Sequence, residues 1–485
     1  MNFLNKFKLE YLLLFVWVGI LFTINSISLD IINFHKVKSD INLDFFFILI
    51  NYIRFLLPFI ILPILVGALI FNKNYKFNLL TILFFLYIFW LIIICLIKGD
   101  KQDLNIQAIT HLNTNNFLLN SIQLTFSSIS VLIIFHFANK FDYKNFSRNI
   151  LIITLIFIGI ISLYFTYNLI VEKILFGLKY IYGTETLNPI KKIIYQASPR
   201  ITGISRMLLI IFYLIFIITV LKEKNSLKLP VHAFLLIIIN FLIYLMQSRG
   251  TFIGVLLIYI LYFFFIPKKI KEKVLFFLIT FLIPILIYEG IYHNTKIKNP
   301  SYEEIVNKSP ENRIFPEYQN NNLTFFTSSS GRRGLFEVSL KIIKEKKIIL
   351  GYGTQADRLL LGQYSLDNEH LRQEKSIWRG DDMVIIFDNN VSNALLYSYL
   401  SGGVIGTILM LLIYILISKE IYKIVFIKKI FYSSEVINAF STVVLIYLSL
   451  RTFYENGFAV FGLDFILAVI AYNIIFMRNN SIKNY

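Results

Sequence analysis

The sequence predicts an all-α polytopic integral membrane protein, and three observations lead to that prediction. Of the 485 residues, 57% are hydrophobic, with 48 Phe and 29 Tyr, which is more apolar surface than a soluble domain of this length can bury. Long apolar stretches recur along the whole chain, and basic residues gather between them. Backbone that faces lipid must satisfy its own hydrogen bonds, and α-helices do so within a single segment.

Twelve stretches are apolar enough to cross a bilayer, which takes about 20 residues in an α-helix. They are residues 11–29, 50–71, 78–97, 117–138, 150–171, 207–221, 232–247, 250–266, 274–292, 391–417, 436–453 and 459–477. The first stretch follows NKFK and lacks a small-residue cleavage site after it. We therefore expect it to be a retained first helix and not a signal peptide.

The distribution of Lys and Arg predicts the orientation. If the N-terminus is cytoplasmic, every segment on the cytoplasmic side holds at least two Lys or Arg, as in PKKIKEK at 267–273. Basic loops are retained on the cytoplasmic side, so both termini are expected there. This bias also accounts for the net charge of +18, and no nucleic-acid partner is expected.

A long external loop between helices 9 and 10 divides the chain. We expect helices 1–9 in residues 1–292, a loop subdomain in 293–390, and helices 10–12 with a cytoplasmic tail in 391–485. The loop is nearly neutral, with 14 Lys or Arg and 13 Asp or Glu. Within it, LFEVSLKIIKEKK predicts a helix with Leu335, Val338 and Ile342 on one face. This pattern indicates an ordered subdomain packed over the bundle.

Several arginines lie on the predicted outer side, where the positive-inside bias disfavours them. Arg249 occupies the joint of LMQSRGTFIGVLL, where two apolar stretches meet with almost no loop. The others near the outer surface are Arg200, Arg206, Arg332, Arg333 and Arg451. A guanidinium group binds phosphate oxygens bidentately and keeps its charge, so these residues are candidates for holding an anionic ligand. For Arg249 alone, a side chain that reaches to lipid headgroups is the simpler interpretation.

The sequence lacks the common signatures of metal and cofactor chemistry. Cys95 is the one cysteine and lies within an apolar run, which excludes disulfides and cysteine metal sites. The six His show no metal-ligand spacing, and HExxH, GxSxG, Walker A and CxxC motifs are absent. Neither a metal nor a cofactor is expected. ATP is not available outside the membrane, so a transfer there would need a substrate that stores energy, such as a lipid diphosphate sugar.

The chain resembles the O-antigen ligase and O-antigen polymerase superfamily of bacterial polysaccharide enzymes. Five degenerate motifs occur in the family's order between about residues 195 and 410. They are R-x-x-G (Arg200–Gly203), S-R-G (Ser248–Gly250), S-G-R followed by Leu335-Phe336 (from Ser330), an apolar G-x-G (Gly351–Gly353), and S-N-x-x-L with G-x-x-G ten residues after the Asn (Ser392–Leu396, Gly403–Gly406).

The resemblance implies a fold similar to GT-C membrane glycosyltransferases and a metal-independent glycosyl transfer at the periplasmic face of the bacterial inner membrane. The implied substrate is an undecaprenyl-diphosphate-linked oligosaccharide, with a chain-length regulator and a flippase as partner proteins. By the same resemblance, Arg249 and Arg332 are expected to be catalytic, together with Ser392, at the position where ligases have a histidine, and Asp388 near it. Substrate binding is expected from Arg200, Arg206, Arg333, Asn393 and Arg451.

One position departs from the family pattern. Ligases carry a histidine before the motif asparagine, and this chain has Ser392 there. A serine is a poor base near neutral pH without help. Asp388, one helical turn earlier, is the preferred candidate for the base, and His370 and Glu369 are alternatives. A carboxylate that complements a helix dipole is a simpler role for Asp388.

This departure favours the polymerase branch, in which the motifs vary more. The predicted enzyme transfers a growing glycan from its lipid diphosphate to an incoming lipid-linked repeat unit. One alternative is a ligase that transfers the finished glycan to lipid A core. Another is a flippase or transporter of lipid-linked oligosaccharides, since twelve spans with both ends inside are common there. Transporters usually show repeated halves and charges at mid-membrane, and these are few here.

Overall fold

A computed structural model describes the chain over residues 3–24, 43–70, 77–98, 117–138, 145–163, 201–222, 229–245, 249–287, 331–354, 356–357, 360, 391, 393–427 and 435–481. In these residues the regular structure is helical. The helices are α1 (Phe3–Phe22), α2 (Leu43–Ile70), α3 (Leu79–Lys98), α4 (Phe117–Ala138), α5 (Asn145–Leu163), α6 (Ile201–Lys222), α7 (Leu229–Leu245), α8 (Arg249–Phe265), α9 (Ile270–Phe277, continued by a π-helical turn Leu278–Leu282), α10 (Gly331–Glu345), α11 (Ala394–Tyr422), α12 (Val436–Arg451) and α13 (Leu463–Ser481).

The helices bear out a polytopic membrane protein. Four stretches are long and apolar enough to cross a bilayer, at Leu79–Lys98, Asn145–Leu163, Gly203–Leu221 and Ala394–Phe426. Seven shorter apolar helices accompany them in the described residues. Each of the twelve stretches predicted from the sequence overlaps a helix, and the number of crossings itself stays a prediction.

The helices pack around one large apolar core and also expose apolar side chains. Trp17, Tyr213 and Phe440 are fully buried, whereas Phe15 and Phe264 are each 77% exposed. A soluble protein rarely leaves so many large apolar residues in water, so these outward faces fit a lipid environment. In the core, α3 packs on α4 and α11, α6 packs on α7 and α12, and α12 packs on α13.

Helix α11 is broken, which differs from the single span predicted at 391–417. Gly403 has φ +61° and ψ −151°, so the chain leaves the helical conformation there. A Cβ on Gly406 would stand 2.8 Å from the carbonyl oxygen of Ser398. In a straight helix, residues eight apart are about 12 Å apart along the axis. The two parts of α11, residues 394–402 and 404–422, therefore fold back on each other.

Contacts along α3 show the direction of each part of α11. Tyr87 hydrogen-bonds Ser398 over 3.0 Å, and the Trp90 indole donates to the Gly402 carbonyl over 2.7 Å. The first part of α11 therefore runs parallel to α3. Tyr414, in the second part, packs on Phe458, and Phe458 in turn packs on Phe84. The second part therefore runs antiparallel to α3.

The break in α11 leaves backbone groups without helical partners, and a segment of the predicted external loop hydrogen-bonds to them. We call this segment, residues 346–354, the strap. The amides of Tyr352 and Gly353 donate to the carbonyls of Leu400 and Ser401, over 2.9 and 2.7 Å. In the reverse direction, the Val404 amide donates to Ile349 over 3.0 Å. Non-helical backbone at membrane depth needs such protein partners because lipid offers none.

Part of the predicted loop subdomain is ordered against α11. Ile342, Ile348, Ala356, Leu360, Val391 and Leu400 form a small buried apolar cluster. The predicted helix exists as α10, with Ile342 fully buried and Val338 partly buried, while the Leu335 side chain lies outside the described residues. The G-x-G after α10 adopts positive φ at Gly351 and Gly353, where it lies against Ser401 and Cys95. The boundaries of the three predicted domains remain predictions.

Candidate functional site

The structure describes some of the predicted site residues in full, some by backbone only, and others not at all. The side chains of Arg206, Asn393 and Arg451 are described. Arg249 begins α8, and Arg332 and Arg333 lie in the first turn of α10, each with a described backbone only. Arg200, Asp388, Ser392 and the alternative bases Glu369 and His370 lie outside the described residues.

The N-terminal end of α8, where Arg249 lies, packs against the turn after α12. A Cβ on Gly250 would stand 2.8 Å from Cε2 of Tyr454. The Tyr454 hydroxyl donates to the Gly250 carbonyl over 3.2 Å. The glycine of the S-R-G motif therefore allows a close approach, and this approach brings the backbone of Arg249 next to the segment that follows Arg451.

Helix α6 joins the same end of the bundle. The hydroxyls of Ser205 and Thr251 hydrogen-bond each other over 3.0 Å between α6 and α8. One turn further along α8, the side chains of Tyr213 and Tyr447 pack directly against Gly254. The Tyr213 hydroxyl donates to the Gly254 carbonyl over 2.7 Å. These small and hydroxyl side chains hold the helices close together, as is usual for membrane-protein interfaces.

Two of the predicted substrate-binding arginines share one carboxylate, which the sequence analysis missed. Arg206 Nη1 donates to Asp464 Oδ1 over 2.9 Å, and Arg451 Nη1 donates to Asp464 Oδ2. The three side chains are 11, 9 and 5% exposed for Arg206, Arg451 and Asp464. Burial of these charges requires partners, and Asp464 supplies them. The signal in the sequence is an acidic residue in the first turn of an apolar helix.

A second carboxylate lies close to this pair of arginines. Glu455 interacts electrostatically with both Arg206 and Arg451, and its amide donates to the Arg451 carbonyl over 2.9 Å. The two guanidinium charges are thus countered by Asp464 and Glu455.

Asn393 has a structural role in addition to any contact with substrate. Its Oδ1 accepts from the amides of Leu395 and Leu396, each over 3.0 Å, which caps the N-terminus of α11. Its Nδ2 donates to the Phe453 carbonyl over 3.0 Å. The Ala394 amide also donates to Thr452 over 2.9 Å. These bonds tie the start of α11 to the turn between α12 and α13.

Asp357 is a buried carboxylate of the predicted external loop that sequence reasoning did not single out. Its Oδ2 accepts from the Val391 amide over 3.1 Å and from Asn456 Nδ2 over 3.5 Å. Asp357 therefore connects the loop subdomain to the segment just before Ser392 and to the turn after Arg451. Its place beside these elements makes it another acidic group near the candidate site.

The site lies well below the C-terminal end of α3. Ser398 is level with Tyr87, so Asn393 and Thr452 are level with about Phe84. With a rise of 1.5 Å per residue, this is about 20 Å from Lys98 along α3. The helix that begins at Arg249 starts beside Tyr454, and the position of Arg249 at the outer interface stays a prediction.

Three buried polar atoms near the site have no hydrogen-bond partner among the described residues. They are Arg206 Nε, Tyr447 Oη and Asn456 Oδ1. Buried polar atoms are normally satisfied by protein, water or ligand, so these mark a polar region open to further partners. No three His, Cys, Asp or Glu within the described ranges are placed to hold a metal ion.

A comparison with protein-family models matches the middle of the chain. Residues 232–411 match the family model described as O-Antigen ligase, a range that covers most of α7, all of α8, α9 and α10, and α11 as far as residue 411. No curated protein and no solved structure matches the chain. Members of the matched family are glycosyltransferase-like enzymes. The match over residues 232–411 confirms, for that part of the chain, the resemblance to the O-antigen ligase and polymerase superfamily.

Proposed function

We propose that the protein is a polysaccharide polymerase that joins lipid-linked repeat units on the periplasmic face of the bacterial inner membrane. The acceptor hydroxyl of an incoming lipid-linked unit attacks the anomeric carbon of the growing glycan. A new glycosidic bond forms, the bond to the undecaprenyl diphosphate breaks, and the hydroxyl proton passes to a base. The released lipid diphosphate carries the negative charge that develops in this step.

The observation that carries the proposal is the convergence of α6, α8 and α12 at one polar end of the bundle. It brings the helix that starts at Arg249 beside the segment that follows Arg451, through the contact between Gly250 and Tyr454. Because Arg206 and Arg451 share Asp464, we assign direct binding of the diphosphate first to Arg249. A fixed guanidinium near the leaving group stabilises charge that develops in the transition state.

The other predicted residues complete the proposal. Arg200, Arg332 and Arg333 would bind the second diphosphate and the sugars, and Asp388 would act as the base beside Ser392. The loop at 293–390 would cover the sugars and limit hydrolysis of the activated donor. Asp357 accepts a hydrogen bond from the Val391 amide, and this bond would position the neighbouring Asp388 and Ser392 at the site.

The test is complementation of a polymerase-null strain with the whole chain, with the glycan ladder as the readout. Arg249→Ala is expected to leave single repeat units and no ladder, and Arg249→Lys to give a short, weak ladder. The matched control is Arg148→Ala, an exposed arginine on α5. Membrane levels of each variant are compared by immunoblot. A glycan ladder from Arg249→Ala like that of the parent chain, at the same membrane level of protein, would contradict the proposal.

A ligase is the second candidate because the matched family model is described as O-Antigen ligase. A ligase would transfer the finished glycan to lipid A core and would not lengthen it. Expression in a ligase-null strain distinguishes the two enzymes. Glycan on lipid A core in that strain, together with single units in the polymerase-null strain, would assign the chain to the ligases.

A further inference from the structure

The strap after α10 exposes two large apolar side chains beside the lipid-facing surface of α11. Ile349 is 69% exposed and Leu350 is 45% exposed. The Ile349 carbonyl accepts from the Val404 amide, and Val404 and Ile405 are themselves 43 and 44% exposed. The apolar surface of the second part of α11 therefore continues without interruption onto the strap.

The level of the strap along α3 places it at the edge of the apolar surface. Tyr352 lies under the Lys98 ammonium group, with 4.0 Å from Nζ to the ring centroid. Lys98 is the last residue of α3, and Ile97 just before it is 60% exposed. Apolar surface thus reaches this level on α3 and ends at a lysine, which is the usual arrangement at a membrane interface.

Three lysines precede the exposed apolar residues Ile349 and Leu350 by two to six positions in the sequence. Lys344, Lys346 and Lys347 are exposed, and no ion pair to them occurs among the described residues. The neighbouring Glu345 pairs with Lys341, with Nζ and Oε1 3.8 Å apart, so the local acidic charge is already engaged. This cluster of positive charge lies on the predicted outer side, where the positive-inside bias disfavours lysine.

We propose that the strap is a membrane-docking element for anionic phospholipid of the outer leaflet. Ile349 and Leu350 insert among the acyl chains beside Val404 and Ile405, and Lys344, Lys346 and Lys347 bind the headgroups. Apolar insertion combined with basic residues at the headgroup level is how interfacial segments bind anionic membranes. This contact fixes the loop subdomain against the bilayer, and it does not depend on which reaction the enzyme catalyses.

Labelling at position 349 tests the apolar part. Ile349→Cys carries a polarity-sensitive fluorophore in the full chain, reconstituted in nanodiscs that contain phosphatidylcholine and the anionic lipid phosphatidylglycerol. Lipids brominated in the upper acyl chain are expected to quench this label about as strongly as a label at Ile97→Cys. The parent chain shows whether buried Cys95 reacts, and Lys268→Cys provides a label in a polar loop.

Substitution of the lysines tests the charge. For the label at 349, quenching is expected to fall at least about twofold when phosphatidylglycerol is omitted, because part of the attraction is electrostatic. A variant that also carries Lys344→Gln, Lys346→Gln and Lys347→Gln is expected to show the lower quenching with either lipid. Lys268→Gln in the same background is the matched control and should leave the lipid dependence unchanged.

Three results would overturn the proposal. The first is quenching of the label at 349 no stronger than that at Lys268→Cys. The second is quenching that does not depend on phosphatidylglycerol in the chain with its native lysines. The third is spontaneous disulfide formation between two copies of the Ile349→Cys chain in the membrane, which would assign the surface to a second copy.

Discussion

Arg451 and Asp464 pair across the turn that joins α12 and α13, and the same carboxylate holds Arg206 of α6. One acidic residue thus positions two cations from separate helices beside the start of α8. The arrangement makes the end of the bundle near Arg249 a preorganised polar site inside an apolar protein. Because the three charges depend on one another, removing one of them should destabilise the protein, whereas removing all three should affect mainly the reaction.

Asp464→Asn is expected to destabilise the protein because it leaves two buried guanidinium groups without their shared anion. Removing one partner of a buried ion pair costs about 3–5 kcal/mol. Thermal unfolding of the detergent-solubilised chain, followed by helical circular dichroism, measures the effect. Asp464→Glu is the control and should recover most of the lost stability. An unchanged melting temperature for Asp464→Asn would contradict a buried, shared carboxylate.

Removing all three charges separates stability from reaction. A chain with Arg206→Met, Arg451→Met and Asp464→Leu is expected to unfold at a higher temperature than Asp464→Asn, since buried ion pairs can be replaced by apolar side chains at little cost and the remaining Glu455 is only half-buried. If the triad contributes to diphosphate binding, this chain should fold and give no glycan ladder. A full ladder from it would limit the triad to a structural role.

Gly254→Ala is expected to lower stability through overpacking. The new Cβ would stand 2.4 Å from Leu209 Cδ2, 2.7 Å from Tyr447 Cε2 and 2.9 Å from the Tyr213 hydroxyl. Overpacking of this kind costs about 1–3 kcal/mol. Gly159→Ala is the matched control, because no atom lies within 4 Å of its new Cβ. Equal melting temperatures for the two variants would show that α6, α8 and α12 are not in close contact.

Gly403→Ala is expected to destabilise the protein more than Gly254→Ala does, because it disturbs the turn at which α11 reverses. Gly403 has φ +61°, and its new Cβ would stand 1.9 Å from the Ile349 carbonyl oxygen, which is backbone and cannot rotate away. The strap should detach, which increases protease cleavage near residue 350 in limited proteolysis. Gly67→Ala, with open space around its Cβ, should be cleaved like the parent chain.

Asn393 variants distinguish a capping role from direct contact with substrate. Asn393→Ala should cost about 1 kcal/mol through loss of the N-cap, whereas serine caps a helix about as well as asparagine. We expect Asn393→Ser to keep near-parental stability and a glycan ladder, with both reduced for Asn393→Ala. If Asn393 instead binds substrate directly, as the sequence predicted, both variants should fold and lose the ladder equally.

Sequence patterns located nearly every helix because apolar run length and basic flanks are local properties. The stretches at 78–97 and 117–138 correspond closely to α3 and α4. The stretch at 391–417 failed in its detail, since apolar composition does not reveal that a chain reverses. Gly402-Gly403 permits the reversal, and the strap and Trp90, which are distant in sequence, hydrogen-bond to backbone groups that the break frees.

For the candidate site too, local sequence patterns predicted the residues but not the contacts between them. The sequence by itself determined that this is a helical membrane protein, and it singled out Arg249, Arg206, Arg451 and Asn393 from their residue types and motif order. Only the tertiary structure decided that Arg206 and Arg451 share Asp464, that Asn393 caps α11, and that the site lies about 20 Å below the end of α3. Charge pairing and depth depend on which helices meet, and no local pattern of residues specifies that.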